Sequence, residues 1–179
     1  MLGRDLEEAH VAQEESRGGS GARETVAVEL VIFVGLQASG KSTFFRERFA
    51  ATHEHVSKDL MPNNRNRKRR QAQLIGAALR EGSSVVVDNT NATVEDRLAL
   101  VELGREFGAR IVCYYFESTV RECVGRNLRR TGEEKVPDVA LFATAKRLVP
   151  PSYSEGFDGL FRVRFKDDSG FEVRAEPRG

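Results

Sequence analysis

Nine consecutive residues near the start of the chain restrict its fold more than any other feature. Residues 35–43 read GLQASGKST and match the pattern G-x-x-x-x-G-K-[ST] in full. The β-branched, almost uncharged run Val26–Val34 precedes them, and helix-compatible residues begin at Lys41. Such a run is typical of a strand buried on both faces of a parallel sheet. Strand, loop and helix in this order are the context in which the pattern binds phosphate, so the sequence predicts a phosphate-binding loop.

The residue types in this loop suit a nucleoside triphosphate. Glycines let backbone N–H groups surround a phosphate, and the helix N-terminus adds favourable partial charge for an anion. Lys41 is expected to reach the β- and γ-phosphates, and the hydroxyl of Ser42 to be a ligand of Mg²⁺. The predicted ATP-binding loop residues are Gly35, Leu36, Gln37, Ala38, Ser39, Gly40, Lys41, Ser42 and Thr43. The guanine-reading sequence Asn-Lys-x-Asp does not occur in the chain, which counts against a GTPase.

Strand and helix patterns alternate after the loop and predict a three-layer P-loop α/β fold with a mainly parallel central sheet. Predicted strands cover residues 55–57, 84–87, 110–116 and 160–165, and predicted helices cover 64–81, 93–107, 119–130 and 137–148. The third of these helices opens with the capping-box spacing of Thr119 and Glu122. Its predicted apolar stripe consists of Val120, Cys123, Val124 and Leu128.

Length and composition fit one globular domain at residues 25–175, because 179 residues bury a sizeable core. Residues 1–24 are acidic and glycine-rich and are predicted to form a disordered tail. The formal net charge of +1 neither favours nor opposes a polyanionic partner. The two cysteines are too few for a disulfide framework and are expected to be buried. Without a long apolar stretch or a signal-like start, a cytoplasmic protein with no membrane partner is expected.

Polar residues at the ends of two predicted strands are candidates for the acceptor side of the site. Asp59 follows the short second strand, where a carboxylate can accept the proton of an attacking hydroxyl; a helix cap is the equally weighted alternative. Asp88, Asn89, Thr90 and Asn91 follow the third strand: Asp88 is predicted to hold a metal-bound water or an acceptor group, and residues 89–91 to hydrogen-bond a substrate. Alternatively, Asn91 and Thr93 turn the chain and cap the next helix. The nearby basic run includes Arg65 and Arg67, which oppose the dipole of the following helix and are therefore predicted to meet acceptor phosphates.

Arg126 and Arg130 are predicted to clamp the phosphates from a helical lid. They stand at i and i+4, a spacing that places both guanidinium groups on one helix face. There they would stabilise the charge that develops during phosphate transfer. An Arg-x-x-x-Arg pair is common on exposed helices, so the prediction depends on its position after the fourth strand.

Together these motifs resemble the kinase domain of the polynucleotide 5′-hydroxyl kinase family. The resemblance runs from about Val28 to Phe165. It is carried, in order, by residues 35–43, 57–59, 88–91, 126–130 and the PSYSEGF segment at 151–157. It implies ATP and Mg²⁺ as cofactors, a nucleic-acid 5′-hydroxyl end as acceptor, and catalytic roles for Lys41, Asp59, Arg126 and Arg130, with Asp59 as the general base and Asp88 on the acceptor side.

The chain also departs from the family pattern. Pro62 stands where an acceptor-contacting arginine is expected, so that contact would pass to Arg65 or Arg67. The resemblance covers a kinase half alone, and any 3′-end repair is expected to need another protein. Two other functions stay open at this point: a P-loop kinase of a small-molecule hydroxyl, for which the basic run is only a solvated surface, and an ATP-gated binding module, in which Asp59 is idle.

Overall fold

The computed structural model of the chain describes residues 27–61, 63–132, 135–166 and 170–179. The strands are β1 (Glu29–Val34), β2 (His53–Val56), β3 (Ser84–Val87), β4 (Arg110–Phe116), β5 (Gly159–Lys166) and β6 (Gly170–Ala175). The helices are α1 (Lys41–Arg48), α2 (Arg67–Arg80), α3 (Val94–Glu106), α4 (Val120–Leu128) and α5 (Asp138–Arg147). Two 3₁₀ turns lie at Lys58–Leu60 and Tyr153–Glu155. The predicted tail and Pro62 lie outside the described residues.

The six strands form one sheet in the order β2-β3-β1-β4-β5-β6. The first five are parallel, and β6 runs antiparallel to β5 at the edge. This confirms the predicted mainly parallel sheet. Strand β6 was not predicted, since the last strand predicted from the sequence covers residues 160–165.

Apolar side chains cover both faces of the sheet and create the three layers. Helices α2 and α3 pack on one face, where Ile75 and Leu100 join the alternate residues of β1 and β3. Helix α1 packs on the other face through Phe44, Phe45 and its C-cap residue Phe49, and its neighbours include Phe33 and Phe116 of the sheet. Helices α4 and α5 form a separate cluster with Leu36 of the phosphate loop. This third cluster places the two helices beside the loop, as expected of a lid.

Several details differ from the sequence interpretation. Helix α2 begins at Arg67, three residues later than predicted, because Asn66 caps it by accepting the N–H of Arg69 at 3.1 Å. Helix α4 ends at Leu128, so Arg126 and Arg130 do not share one helix face as predicted. Leu128 is 62% exposed and is not part of the buried stripe, since the helix ends there.

Other local predictions are confirmed. Thr119 and Glu122 form the capping box of α4, with the Thr119 N–H donating to Glu122 Oε2 at 2.7 Å. Cys113 and Cys123 are both buried and unpaired. Among the residues that the structure describes, no helix has the length and apolar character needed to cross a membrane.

Candidate active site

Two glycines give the loop between β1 and α1 its path. Gly35 has φ +155°, and a Cβ built on it would lie 2.9 Å from Cβ of Phe116. Gly40 has φ +96° and is the N-cap of α1, where a Cβ would lie 3.1 Å from the Phe171 ring. A side chain at either position would force the loop or its neighbours to shift, and the left-handed φ favours glycine. The motif glycines are therefore required by close packing as well as by phosphate access.

Lys41 lies over the carbonyl groups of the same loop. Its Nζ donates to the carbonyl oxygen of Leu36 at 2.6 Å and of Gly35 at 3.2 Å. Burial lowers the pKa of Lys41 to about 8, and the negative charge of Asp88 partly offsets that effect. A bound polyphosphate would supply the counter-charge that this buried ammonium group lacks.

Asp88 connects the loop to the sheet. The Ser42 hydroxyl donates to Asp88 Oδ2 at 2.7 Å, and Nε2 of His55 lies 3.0 Å from the same oxygen. Burial opposes ionisation of this carboxyl group, but the hydrogen bond from His55 and the charge of Lys41 hold its pKa below the usual value. Asp88 is thus an ionised carboxylate beside the predicted metal-ligating hydroxyl. The His55 ring also stacks on the Phe45 ring, with the centroids 4.0 Å apart. The sequence did not indicate this role, because His55 and Asp88 are 33 residues apart along the chain.

Asp59 lies on the exposed side of a short turn that is held from behind. Ser57 Oγ accepts the Asp59 N–H at 3.3 Å, and Asn89 Oδ1 accepts the Lys58 N–H at 2.9 Å. The Asn89 amide then donates to Gln71 Oε1 of α2 at 2.8 Å. Both polar ends of the Asn89 side chain are therefore used to position the turn.

A single cavity of about 80 Å³ collects most of the predicted site residues. Its lining includes Gln37, Ala38, Gly40, Lys41, Ser42, Asp59, Asp88, Asn89, Thr90 and Arg130. The loop, the Asp59 turn and the end of β3 meet there because the carboxyl ends of parallel strands share one edge of the sheet. The cavity brings the predicted phosphate residues and the predicted base together.

The two lid arginines occupy different places. Arg130 lines the cavity, whereas Arg126 donates to the Ala38 carbonyl oxygen at 2.9 Å and lies 5.3 Å from the centroid of the Phe165 ring. Asn127 is buried and ties the end of α4 to the segment before α5 by accepting the Val136 N–H at 3.0 Å. Arg126 therefore contacts the loop directly.

The remaining loop residues connect the loop to its surroundings. Gln37 Nε2 donates to Thr144 Oγ1 of α5 at 2.9 Å, while its Oε1 is buried without a hydrogen-bond partner among the described residues. Leu36 packs with Cys123 and Leu141. Thr43 Oγ1 accepts from Arg46 at 3.2 Å. The loop is thus fixed to both lid helices, and Ser39 is buried within it.

A buried ion pair supports this region and was not anticipated. Arg97 is 0% exposed, and its guanidinium group forms two hydrogen bonds to the Glu155 carboxylate, at 2.6 and 2.9 Å. The same group donates to the carbonyl oxygens of Asn91, Ala92 and Val149. Glu155 belongs to the PSYSEGF segment and lies 58 residues after Arg97 in the sequence. Helical periodicity therefore could not reveal the pair.

Asn91 and the basic run differ from the other predicted residues in position. Asn91 is 4% exposed, and its amide donates to the Phe33 carbonyl oxygen at 2.7 Å, so its side chain stabilises the end of β1. Arg65 and Arg67 are exposed at the N-terminus of α2 and do not line the cavity. Asn91 therefore stabilises the structure around the site, and Arg65 and Arg67 lie on the surface outside the cavity.

Comparisons with known proteins agree with this geometry. The bifunctional polynucleotide phosphatase/kinase of Schizosaccharomyces pombe is 30% identical over 142 residues, which cover 77% of this chain and 34% of that protein. A chain of the Pnkp1/Rnl/Hen1 RNA repair complex superposes with a TM-score of 0.59 at 26% identity, over 73% of this chain and 47% of that chain. A fungal RNA kinase shares the fold, with a TM-score of 0.62 at 16% identity over 81% of this chain and 40% of that one.

The chain thus spans about a third of the length of its curated relative. A family model described as an AAA domain matches residues 30–151, which include most of β1, the phosphate loop and the Asp59 turn. That stretch covers more than half of the chain and every cavity residue named above. The protein therefore belongs to this AAA-domain family of P-loop proteins.

Proposed function

We propose that the protein is an ATP-dependent kinase that transfers the γ-phosphate of ATP to the 5′-hydroxyl group of DNA or RNA. The observation that carries the proposal is the shared cavity, which Lys41 and Asp59 line together. A phosphate loop alone is compatible with many activities, whereas a carboxylate facing it supplies the base that a hydroxyl acceptor requires. The similarity to a polynucleotide phosphatase/kinase supports the nucleic-acid acceptor.

The donor residues fit ATP with Mg²⁺. The Ser42 hydroxyl and the ionised Asp88 carboxylate are 2.7 Å apart, and oxygen donors of this kind are the ligands that Mg²⁺ prefers. When bound, the ion would neutralise charge on the β- and γ-phosphate oxygens. The loop N–H groups would hold the β-phosphate at the N-terminus of α1. Lys41 would exchange its loop carbonyl partners for phosphate oxygens.

The proposed reaction is a direct displacement. Asp59 accepts the proton of the 5′-hydroxyl as its oxygen forms a bond to the γ-phosphorus atom. The bond between that phosphorus and the β,γ-bridging oxygen breaks, and ADP leaves with the bonding electron pair. Arg130, which lines the cavity, would stabilise the charge on the transferring group. Arg126 would do so after leaving the Ala38 carbonyl.

The test is transfer of labelled γ-phosphate from ATP to 5′-hydroxyl oligonucleotides, both DNA and RNA, with Lys41→Ala as the blank. The same strands carrying a 5′-phosphate are the matched acceptor control. Label on the 5′-hydroxyl strands alone is the expected result. Label on a small metabolite but on no oligonucleotide would replace the proposal with a small-molecule kinase, and ATP binding without any transfer would leave a binding module.

A further inference from the structure

A surface groove lies between helices α2 and α3, which both pack on the same face of the sheet. Two cavities, of about 110 and 470 Å³, lie in it and share the lining residues Ala72 and Leu103. The first begins at Lys58, the neighbour of Asp59, and the second ends at Phe107. These two adjacent cavities together define the α2–α3 groove, one end of which is lined by Lys58, the residue before the predicted base.

Small residues determine the depth of this groove. Ala72, Gly76 and Ala99 contribute to its lining. A Cβ added to Gly76 would lie 3.2 Å from the Phe107 ring, so the ring can approach α2 closely only because glycine stands there. A larger side chain at these positions would fill the path.

The two rims of the groove carry opposite charges. Basic side chains lie on the α2 rim and acidic ones on the α3 rim: Lys68, Arg69 and Arg80 face Glu95, Asp96 and Glu106. Lys68 Nζ lies 3.5 Å from Asp96, and Arg80 lies 5.5 Å from the Phe107 ring centroid. Arg65, Arg67 and Arg70 are also exposed near the start of α2 but line neither cavity. Phosphates suit the α2 rim, whereas carboxylates can accept hydrogen bonds from the amino groups of bases.

We propose that the α2–α3 groove binds the single-stranded segment of the acceptor immediately 3′ of the phosphorylated end. Its phosphates follow the α2 rim, and a base stacks at the Arg80–Phe107 pair. Helix α2 has 14 residues and so is about 21 Å long, which matches up to roughly six nucleotides at a stacked spacing of about 3.4 Å. The inference rests on the proposed function, because that function places the 5′ end at Asp59.

The test compares two glutamates on one helix. Ala72 lines both cavities of the groove, whereas Ala77 is also exposed on α2 but lines neither. For a strand of about twelve nucleotides, Ala72→Glu is expected to raise the acceptor KM about tenfold, because the new charge repels phosphates. The KM of a 5′-hydroxyl dinucleotide, the KM of ATP and kcat should stay unchanged. Ala77→Glu should leave all four values unchanged.

If Ala72→Glu raised the KM of the short and the long acceptor equally, or changed neither, the proposal that the groove binds the acceptor strand would be wrong. Direct binding of a labelled oligonucleotide provides a second readout that does not need catalysis. Arg69→Ala, which removes a cation of the α2 rim, should reduce the slope of log K against log salt by about one, while Arg48→Ala on the opposite face should not. If no oligonucleotide is phosphorylated, the proposed function fails, and an unchanged salt slope in Arg69→Ala would then reject the groove as well.

Discussion

The loop predicted to hold ATP and the turn that carries Asp59 meet in one cavity, but their residues differ in burial and in their hydrogen bonds to the rest of the protein. On the donor side, Lys41 and Asp88 are 8% and 5% exposed, and both have hydrogen-bond partners within the protein. On the acceptor side, Asp59, Arg65 and Arg67 are exposed, and the turn is held only from behind. A rigid, closed donor side suits one defined ligand, whereas an open acceptor side suits a strand of variable sequence.

The largest effect is expected from the donor side. Replacement of Lys41 by alanine removes the cation that meets the transferring phosphate, so phosphate transfer should fall by about 10³-fold. Lys146→Ala, which changes an exposed lysine of α5, is the control and should have no effect. Steady-state rates at saturating acceptor measure both. A loss smaller than tenfold in Lys41→Ala would show that this lysine does not meet the phosphates.

The framework behind the donor side should be the least tolerant of substitution. Arg97→Met leaves Glu155 buried without its partner, and we expect the free energy of unfolding to fall by about 3–5 kcal/mol. Denaturant titration measures this loss. The double variant Arg97→Met/Glu155→Leu should recover only part of it, because the carbonyl oxygens of Asn91 and Val149 lose the guanidinium donor, whereas that of Ala92 keeps the Val149 N–H at 2.9 Å. Full recovery would contradict the role of these carbonyl contacts.

Asn89 distinguishes a positioning role from a direct contact with the acceptor. Because its amide holds the Lys58 backbone and Gln71, Asn89→Ala should lower kcat about tenfold through misplacement of Asp59. The acceptor KM and the ATP affinity should change little. Asn89→Asp keeps the oxygen that accepts the Lys58 N–H and should restore part of the rate. A rise in acceptor KM with kcat unchanged would instead indicate that Asn89 contacts the acceptor.

The smallest effects are expected from the exposed basic run that contains Arg65 and Arg67. Arg65→Ala and Arg67→Ala should each raise the oligonucleotide KM by about threefold to tenfold, since each would remove one phosphate contact. The ATP KM should stay the same, and the effect should shrink at high salt because exposed charges are screened. Arg48→Ala on the opposite face is the control. Unchanged KM values in both variants would make the basic run a solvated surface.

Most of the fold could be predicted because its signals are local. Buried strands, the capping box at Thr119 and the glycine-containing loop each depend on neighbouring residues. Strand β6 was overlooked although Phe171, Val173 and Ala175 alternate with charged residues, a pattern typical of a strand with one buried face. It pairs with β5 alone, so it carries no uniformly apolar run.

The candidate site could be predicted only where the chain itself brings residues together. The phosphate loop is one continuous segment, and its residues lie where the motif predicts. Partners from distant segments were missed, because neither periodicity nor spacing reveals that Arg97 meets Glu155 or that His55 meets Asp88. The prediction that Arg126 and Arg130 share one helix face was wrong, because α4 ends at Leu128, between them.

The most direct measurement compares Asp59→Asn with the unsubstituted protein in two assays: ATP affinity and single-turnover phosphate transfer to a 5′-hydroxyl oligonucleotide. The exposed carboxylate lines the cavity but belongs to the acceptor side. The account predicts a loss of about 10²–10⁴-fold in transfer, because the base is removed. It also predicts an ATP Kd within about twofold of the original, a difference of no more than about 0.4 kcal/mol. Unchanged transfer, or an equal loss of ATP binding, would contradict it.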